Sequence, residues 1–215
     1  MLKRILAATL VALPFIAHAG AIDVQPTVAF LPAGKDFSSF TFQNNLGKDA
    51  SFEVSVVAEE GLGANLKQTP SDDITVSPQI FTIPAGGTQV LRYAVKTPRK
   101  QREELRYRVI ASQLPDNEVP NNGLKVLFKL GLAVFLAPKE PSLELRKALE
   151  GDKLRVINSG NVTVNVQTLN ASGCDQVEFA KFLRPSQSWA VPVTPAQKNC
   201  DYKAKTVDGL LPMKD

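Results

Sequence analysis

Histidine is almost missing from this sequence: there is one in 215 residues, alongside two cysteines, two methionines and one tryptophan. That histidine, His18, lies in an N-terminal segment that reads as removable. Met1-Leu2-Lys3-Arg4 is a short basic start, and Ile5 to Ala17 is an apolar run too short to cross a bilayer comfortably. Ala17-His18-Ala19 then supplies a small-x-small cleavage site. Residues 1–19 are therefore expected to be a signal peptide, with a soluble, exported mature chain from Gly20; an uncleaved membrane anchor is the alternative. Without imidazole the mature chain has no triad and no histidine general base. Two cysteines alone cannot complete a tetrahedral zinc site, and Met213 alone excludes a methionine-rich copper site, so no metal is expected.

An excess of either charge is lacking too. Lys3 and Arg4 leave with the signal peptide, so 25 basic residues become 23 against 21 acidic ones, and the net charge falls from +4 to +2. That balance gives no ground for a nucleic-acid partner. Nucleotide motifs fail as well. Gly47-Lys48 is followed by Asp49 and lacks the upstream glycine of a phosphate loop, and Gly61-Leu62-Gly63-Ala64-Asn65-Leu66 lacks the last glycine of a dinucleotide fingerprint. No cofactor and no small-molecule substrate is expected. The pairs Asp72-Asp73 and Glu59-Glu60 lie beside Pro or Gly and read as solvated turns, not as an acid/base couple. Asn161-Val162-Thr163 and Asn170-Ala171-Ser172 match a glycosylation sequon, which is a frequent chance match. An exported hydrolase would need a carboxylate or Ser-Lys mechanism, for which there is no motif, so the chain is not read as an enzyme.

What is present is β patterning. Short alternating runs are separated by Gly, Pro, Asn and Asp at roughly ten-residue spacing, the signature of all-β sandwiches. Phe37 to Phe42 and Ser51 to Val57 are strand-like around a turn at Asn44-Asn45-Leu46-Gly47, and Lys153 to Ile157 and Val162 to Leu169 repeat that plan around Asn158-Ser159-Gly160-Asn161. Phe81-Thr82-Ile83-Pro84 is echoed by Phe182-Leu183-Arg184-Pro185. Two copies of one architecture are implied, divided near Pro138 and Pro141, where proline breaks strand pairing. The expected domains are 20–138 and 139–215. Cys174 and Cys200 both fall in the second, where an oxidising compartment favours a disulfide over two free thiols. The segment Lys96 to Arg108 carries six basic residues and reads as a solvated loop followed by one wet strand face, with docking of an acidic partner as the alternative.

The longest apolar strand signal runs from Leu124 to Leu136. Leu124, Val126, Phe128 and Leu130 alternate with Lys125 and Lys129, so one face is dry and the other wet. Such a strand is either central or an edge awaiting a partner.

Several motifs occur in a familiar order. Val76-Ser77-Pro78-Gln79-Ile80-Phe81-Thr82-Ile83-Pro84-Ala85-Gly86-Gly87-Thr88-Gln89-Val90-Leu91-Arg92 resembles the P-x-x-F-x-L-x-P-G-x-x-Q-x-h-R segment of periplasmic pilus-assembly chaperones. Arg102-Glu103-Glu104-Leu105-Arg106-Tyr107-Arg108 is similar to their R-E-x-x-Y motif, and the strand ending at Pro138 to the last strand of their first domain. The resemblance implies two immunoglobulin-like β-sandwich domains in an L or boomerang arrangement, working in the periplasm. It implies that Leu124, Val126, Phe128 and Leu130 complete the open sandwich of a pilus subunit by donor-strand complementation, and that the subunit is later released to an outer-membrane usher. Pairing along an edge would supply adhesion and the side chains the register. Self-association of the free protein through that edge is a further possibility it raises.

Departures point to an archaic or alternative branch. The family's two basic residues that clamp the subunit's terminal carboxylate fall at Val28 and Ala133, neither of them basic. Arg92 and Lys129 are the candidate substitutes. The family's inter-domain arginine falls at Ala137, with its glutamate partner expected at Glu103. The competing reading is a secreted immunoglobulin-like adhesin or pilin-type structural subunit, for which Gly20 to Pro26 is short and poorly patterned as a donor peptide.

Overall fold

The structure is a computed structural model, and it describes residues 21–61, 63–96, 98–115 and 126–215. The signal-peptide reading therefore lies outside the described residues, as does Leu124. Ten strands come first: β1 (Ile22–Gln25), β2 (Val28–Leu31), β3 (Phe37–Asn44), β4 (Ala50–Glu60), β5 (Lys67–Pro70), β6 (Ile74–Ser77), β7 (Ile80–Ile83), β8 (Thr88–Val95), β9 (Leu105–Gln113) and β10 (Lys129–Leu136). Seven follow: β11 (Leu145–Glu150), β12 (Lys153–Asn158), β13 (Val164–Asn170), β14 (Val177–Leu183), β15 (Ser188–Pro192), β16 (Lys203–Thr206) and β17 (Gly209–Lys214). The protein is all-β, built as two immunoglobulin-like sandwiches.

In the first unit a four-stranded sheet, β1-β3-β8-β6, faces a second sheet ordered β2-β10-β9-β4-β5, with β7 also paired to β4. The chain crosses between the sheets at Pro26, after β1 and before β2. Alternation decides what is inside. In β4, Ala50, Phe52, Val54 and Val56 point inward, and in β8 Leu91 and Tyr93 do. Phe42, Phe52 and Phe81 form an aromatic trio with ring centroids 5.4–6.1 Å apart. Burying each such side chain contributes at most about 1.5–3 kcal/mol against the extended chain. The second unit is one seven-stranded array, β14-β13-β16-β17-β11-β12-β15, around its own core of Leu145, Val156, Val166, Leu169, Phe179 and Tyr202.

The internal repeat is real, but its register differs by one residue from the Phe81/Phe182 echo. Asn44 and Asn158 are both fully buried. The Asn44 amide donates to the carbonyls of Ile83 and Lys48, and the Asn158 amide to those of Leu183 and Val162. Gly86 N–H donates to Asn44 and Ser186 N–H to Asn158, with both donor residues at positive φ. Ile83 thus matches Leu183. Phe81 is buried, whereas Phe182 is an exposed side chain. A buried asparagine has no water to bond, so each one pins its turn to the end of a later strand, β7 for Asn44 and β14 for Asn158.

Candidate functional site

The site is built on β10 and the edge it leaves open. All of β10, Lys129 to Leu136, pairs antiparallel with β9. On its other side β2 runs parallel to it, but only from Ala133 to Leu136. Among the described residues, Lys129 to Leu132 therefore pair with β9 alone. The strand is central in its second half and an edge in its first, for a simple reason: β2 is four residues long and begins only at Val28, after the sheet crossover.

The apolar row along β10 becomes steadily more exposed toward that open half. Leu132, Val134 and Leu136 are buried in the first core. Leu130 and Phe128 are half-buried against it, and Val126 is 68% exposed. Residues 126–128 lie outside regular strand, although the Phe128 N–H is held by the Gln113 side chain at 3.1 Å and its carbonyl by the Gln113 N–H at 2.8 Å. Of the four expected donor residues, then, Leu124 lies outside the described residues, Val126 is open, and Phe128 and Leu130 already contact their own sandwich.

The two positions where the basic clamp was expected, Val28 and Ala133, are direct neighbours across β2 and β10. The candidate substitutes are not brought together. Arg92 is exposed on β8, in the opposite sheet, where it is registered with Ser39 and Ser77. Lys129 is exposed at the start of β10, opposite Ser112. A different basic residue, Arg108 on β9, is registered opposite Ala133. Its side chain leans across β10 at Gly131, where a Cβ would lie 2.9 Å from Arg108 Cδ, so the glycine makes room for it. Its Nη1 donates to the Gly131 carbonyl at 3.3 Å, and Nε donates to Glu59 at 2.6 Å.

Glu59 corrects the solvated-turn reading. It is 6% exposed near the end of β4 and accepts from both Arg108 and Gln68. Burial alone would raise its pKa, but those hydrogen bonds and the Arg108 and Arg184 charges outweigh it and hold the carboxyl below the ordinary value. The basic segment is likewise more than a wet face. The Arg99 side chain is only 9% exposed and donates to Asp36 and to the carbonyls of Leu31 and Ala137, tying the ends of β2 and β10 together. Pairing with Glu59 and those carbonyls is what a sequence pattern of spaced arginines does not reveal.

The junction between the units is polar at one end and aromatic in the middle. Glu104, not Glu103, is the carboxylate that crosses it: Glu104 accepts from the N–H and hydroxyl of Thr163, and its own N–H donates to the Asn161 carbonyl at 3.0 Å. Burial raises the Glu104 pKa above its ordinary value despite the two Thr163 bonds and the Arg184 charge. Asn161 also donates to the carbonyls of Arg102 and Glu140. Phe30 of β2 stacks on Phe135 of β10 at 4.9 Å and lies 6.3 Å from Phe182 of the second unit. Beside this ladder an apolar cleft of about 500 Å³ is lined by Leu143, Val162, Leu210 and Leu211. In the second unit Cys174 and Cys200 are joined, as the compartment argument expected, with a Cα–Cα distance of 6.4 Å. Among the described residues there is no group of three or more metal-ligating side chains, and no helix is long and apolar enough to cross a membrane.

The open edge of β10 suits strand addition. No curated protein sequence matches the chain. Among solved structures, the class 5 fimbriae chaperone CfaA is similar, with a TM-score of 0.64 and 16% identity over 86% of this chain and 92% of that one. The E. coli chaperone DraB gives 0.62 and 15% identity over 91% and 98%. The CsuC–CsuE chaperone–tip adhesion subunit complex, from the archaic chaperone-usher Csu pili of Acinetobacter baumannii, gives 0.58 and 15% over 90% and 98%. At such identities the likeness speaks for the fold. The profile of the pili and flagellar-assembly chaperones, defined on the PapD N-terminal domain, matches residues 21–142, more than half of the sequence. The chain belongs to that family of pilus-assembly chaperones.

Proposed function

We propose that this protein is a periplasmic chaperone that holds pilus subunits by lending them the open half of β10, and that it delivers them to an outer-membrane usher. Family and fold are those of non-enzymatic chaperones. One observation supports the lending strand above others: the pairing of β2 stops at Ala133, so the edge of Lys129–Leu132 is unpaired among the described residues while Val126 projects as an exposed apolar side chain. An unpaired edge with an apolar row gives an incoming strand both its hydrogen bonds and its register. Leu124, Val126, Phe128 and Leu130 are taken as the donor row, with Val126 free to be covered and Phe128 and Leu130 shared with the chaperone's own core. The two separate cores support treating residues 20–138 and 139–215 as the two domains. The signal sequence supports export. Among solved relatives, a Salmonella enterica SafA pilin was captured in complex with the SafB chaperone.

For the subunit's terminal carboxylate, Arg108 is the better-placed anchor, since it stands opposite Ala133 and reaches over β10, whereas Arg92 is on the other sheet. The test is co-expression of a pilus subunit with chaperone carrying Val126→Asp. The variant should fold as wild type and lose subunit capture, because a carboxylate cannot enter an apolar groove unpaired. Undiminished capture would refute the donor-row reading.

A further inference from the structure

On the outer face of β9 two arginines from different units meet at one oxygen. Arg106 Nη2 donates to the Gly61 carbonyl at 2.9 Å, and Arg184 Nη1, from the turn after β14, reaches the same oxygen at 3.5 Å. The carboxylates nearby, Glu59 and Glu104, lie close enough to feel the Arg184 charge but make their hydrogen bonds elsewhere, Glu59 with Arg108 and Gln68 and Glu104 with Thr163. Arg106 Nη1 is buried and has no hydrogen-bond partner among the described residues. Among the described residues the two guanidiniums thus share one hydrogen-bond acceptor, a neutral one, and Arg106 Nη1 is left without any. Like charges held side by side repel, and a buried donor without an acceptor costs the desolvation of that group. An oxyanion relieves both, because a guanidinium matches carboxylate or phosphate oxygens two at a time.

We propose that Arg106 and Arg184 form an oxyanion site across the junction. The ligand is an oxyanion of carboxylate or phosphate chemistry. Its two contacts lie on different units, so it adds a tie to those that Glu104 makes with Thr163 and Asn161 makes with Arg102, where the Gly61 carbonyl alone meets Arg184 at 3.5 Å. This reading is independent of strand lending, since Val126 and the open edge take no part in it.

The experiment follows the arginine Nε–Hε resonances of the ¹⁵N-labelled mature protein during titration with N-acetylalanine, its amide, and inorganic phosphate, each at ionic strength matched with sodium chloride. The Arg106 and Arg184 signals should move together and saturate with one common constant for an oxyanion, while the amide moves neither. The tighter of the two anions identifies the source, a chain carboxylate or free phosphate. Arg184→Gln should abolish the response at Arg106, and Arg184→Lys should weaken it at least tenfold, with backbone amide spectra verifying the fold of both. Shifts no larger than those in sodium chloride, movement of one arginine alone, or an Arg106 response that survives Arg184→Gln would overturn the site.

Discussion

Two opposite gradients should run along β10. Replacing a core-facing residue by alanine costs the chaperone its own stability in proportion to how deeply that side chain is buried. Leu132 is 2% exposed, so Leu132→Ala should cost about 2–5 kcal/mol. Val126 is 68% exposed, so Val126→Ala should lie within roughly 0.5 kcal/mol of wild type. Capture of a subunit should rank them the other way. Truncating valine to alanine removes two carbons, about 1.6 kcal/mol if fully buried. About two-thirds of that area is still wet in the free protein, leaving about 1 kcal/mol to be gained when a subunit covers it, or roughly fivefold in affinity. Phe128 and Leu130 should fall between these extremes in both measurements. Urea unfolding of the free variants gives the first gradient, and competition for a co-purified pilus subunit gives the second. If Val126→Ala unfolds as readily as Leu132→Ala, or leaves subunit affinity unchanged, the row is core and not a lent strand.

Two further outcomes follow from the same contacts. Cys174 and Cys200 are 26 residues apart, so the chain-entropy model gives their bond about 3.5 kcal/mol, and Cys174→Ala/Cys200→Ala should lower the second unit's unfolding temperature strongly in calorimetry while leaving the β10 edge competent. Glu59 has a folded pKa below its ordinary value, so its contribution to stability is present above that ordinary value and is lost as pH falls through the lowered one. Glu59→Gln should therefore be less stable than wild type at pH 7, by roughly 1–3 kcal/mol given that the Arg108 side chain is 31% exposed, and the difference should close as acidification takes the pH through the lowered carboxyl pKa. A gap that stayed constant from pH 7 to pH 3 would show that the ion pair is not its source.

The sequence by itself determined the class of the protein and most of its frame. Alternation in runs such as Ala50 to Val56 forces one face of each strand inward, because period two leaves no other way to bury those side chains. The Asn44 and Asn158 turns were legible as repeats, although the exposed Phe182 drew the second echo one residue out of register, because a large apolar residue in a wet face reads as core. Ordered motifs carried the family, and the two cysteines carried the disulfide. Tertiary structure decided the rest. Whether β10 is edge or centre depends on where β2, about a hundred residues earlier in the chain, stops pairing. Glu59 looked like a solvated acid beside a glycine and is instead buried against Arg108, a partner 49 residues away. The choice of Glu104 over Glu103 follows from which side of one strand end faces Thr163. These are long-range contacts between side chains, and local periodicity carries no information about which distant residue a charge will meet.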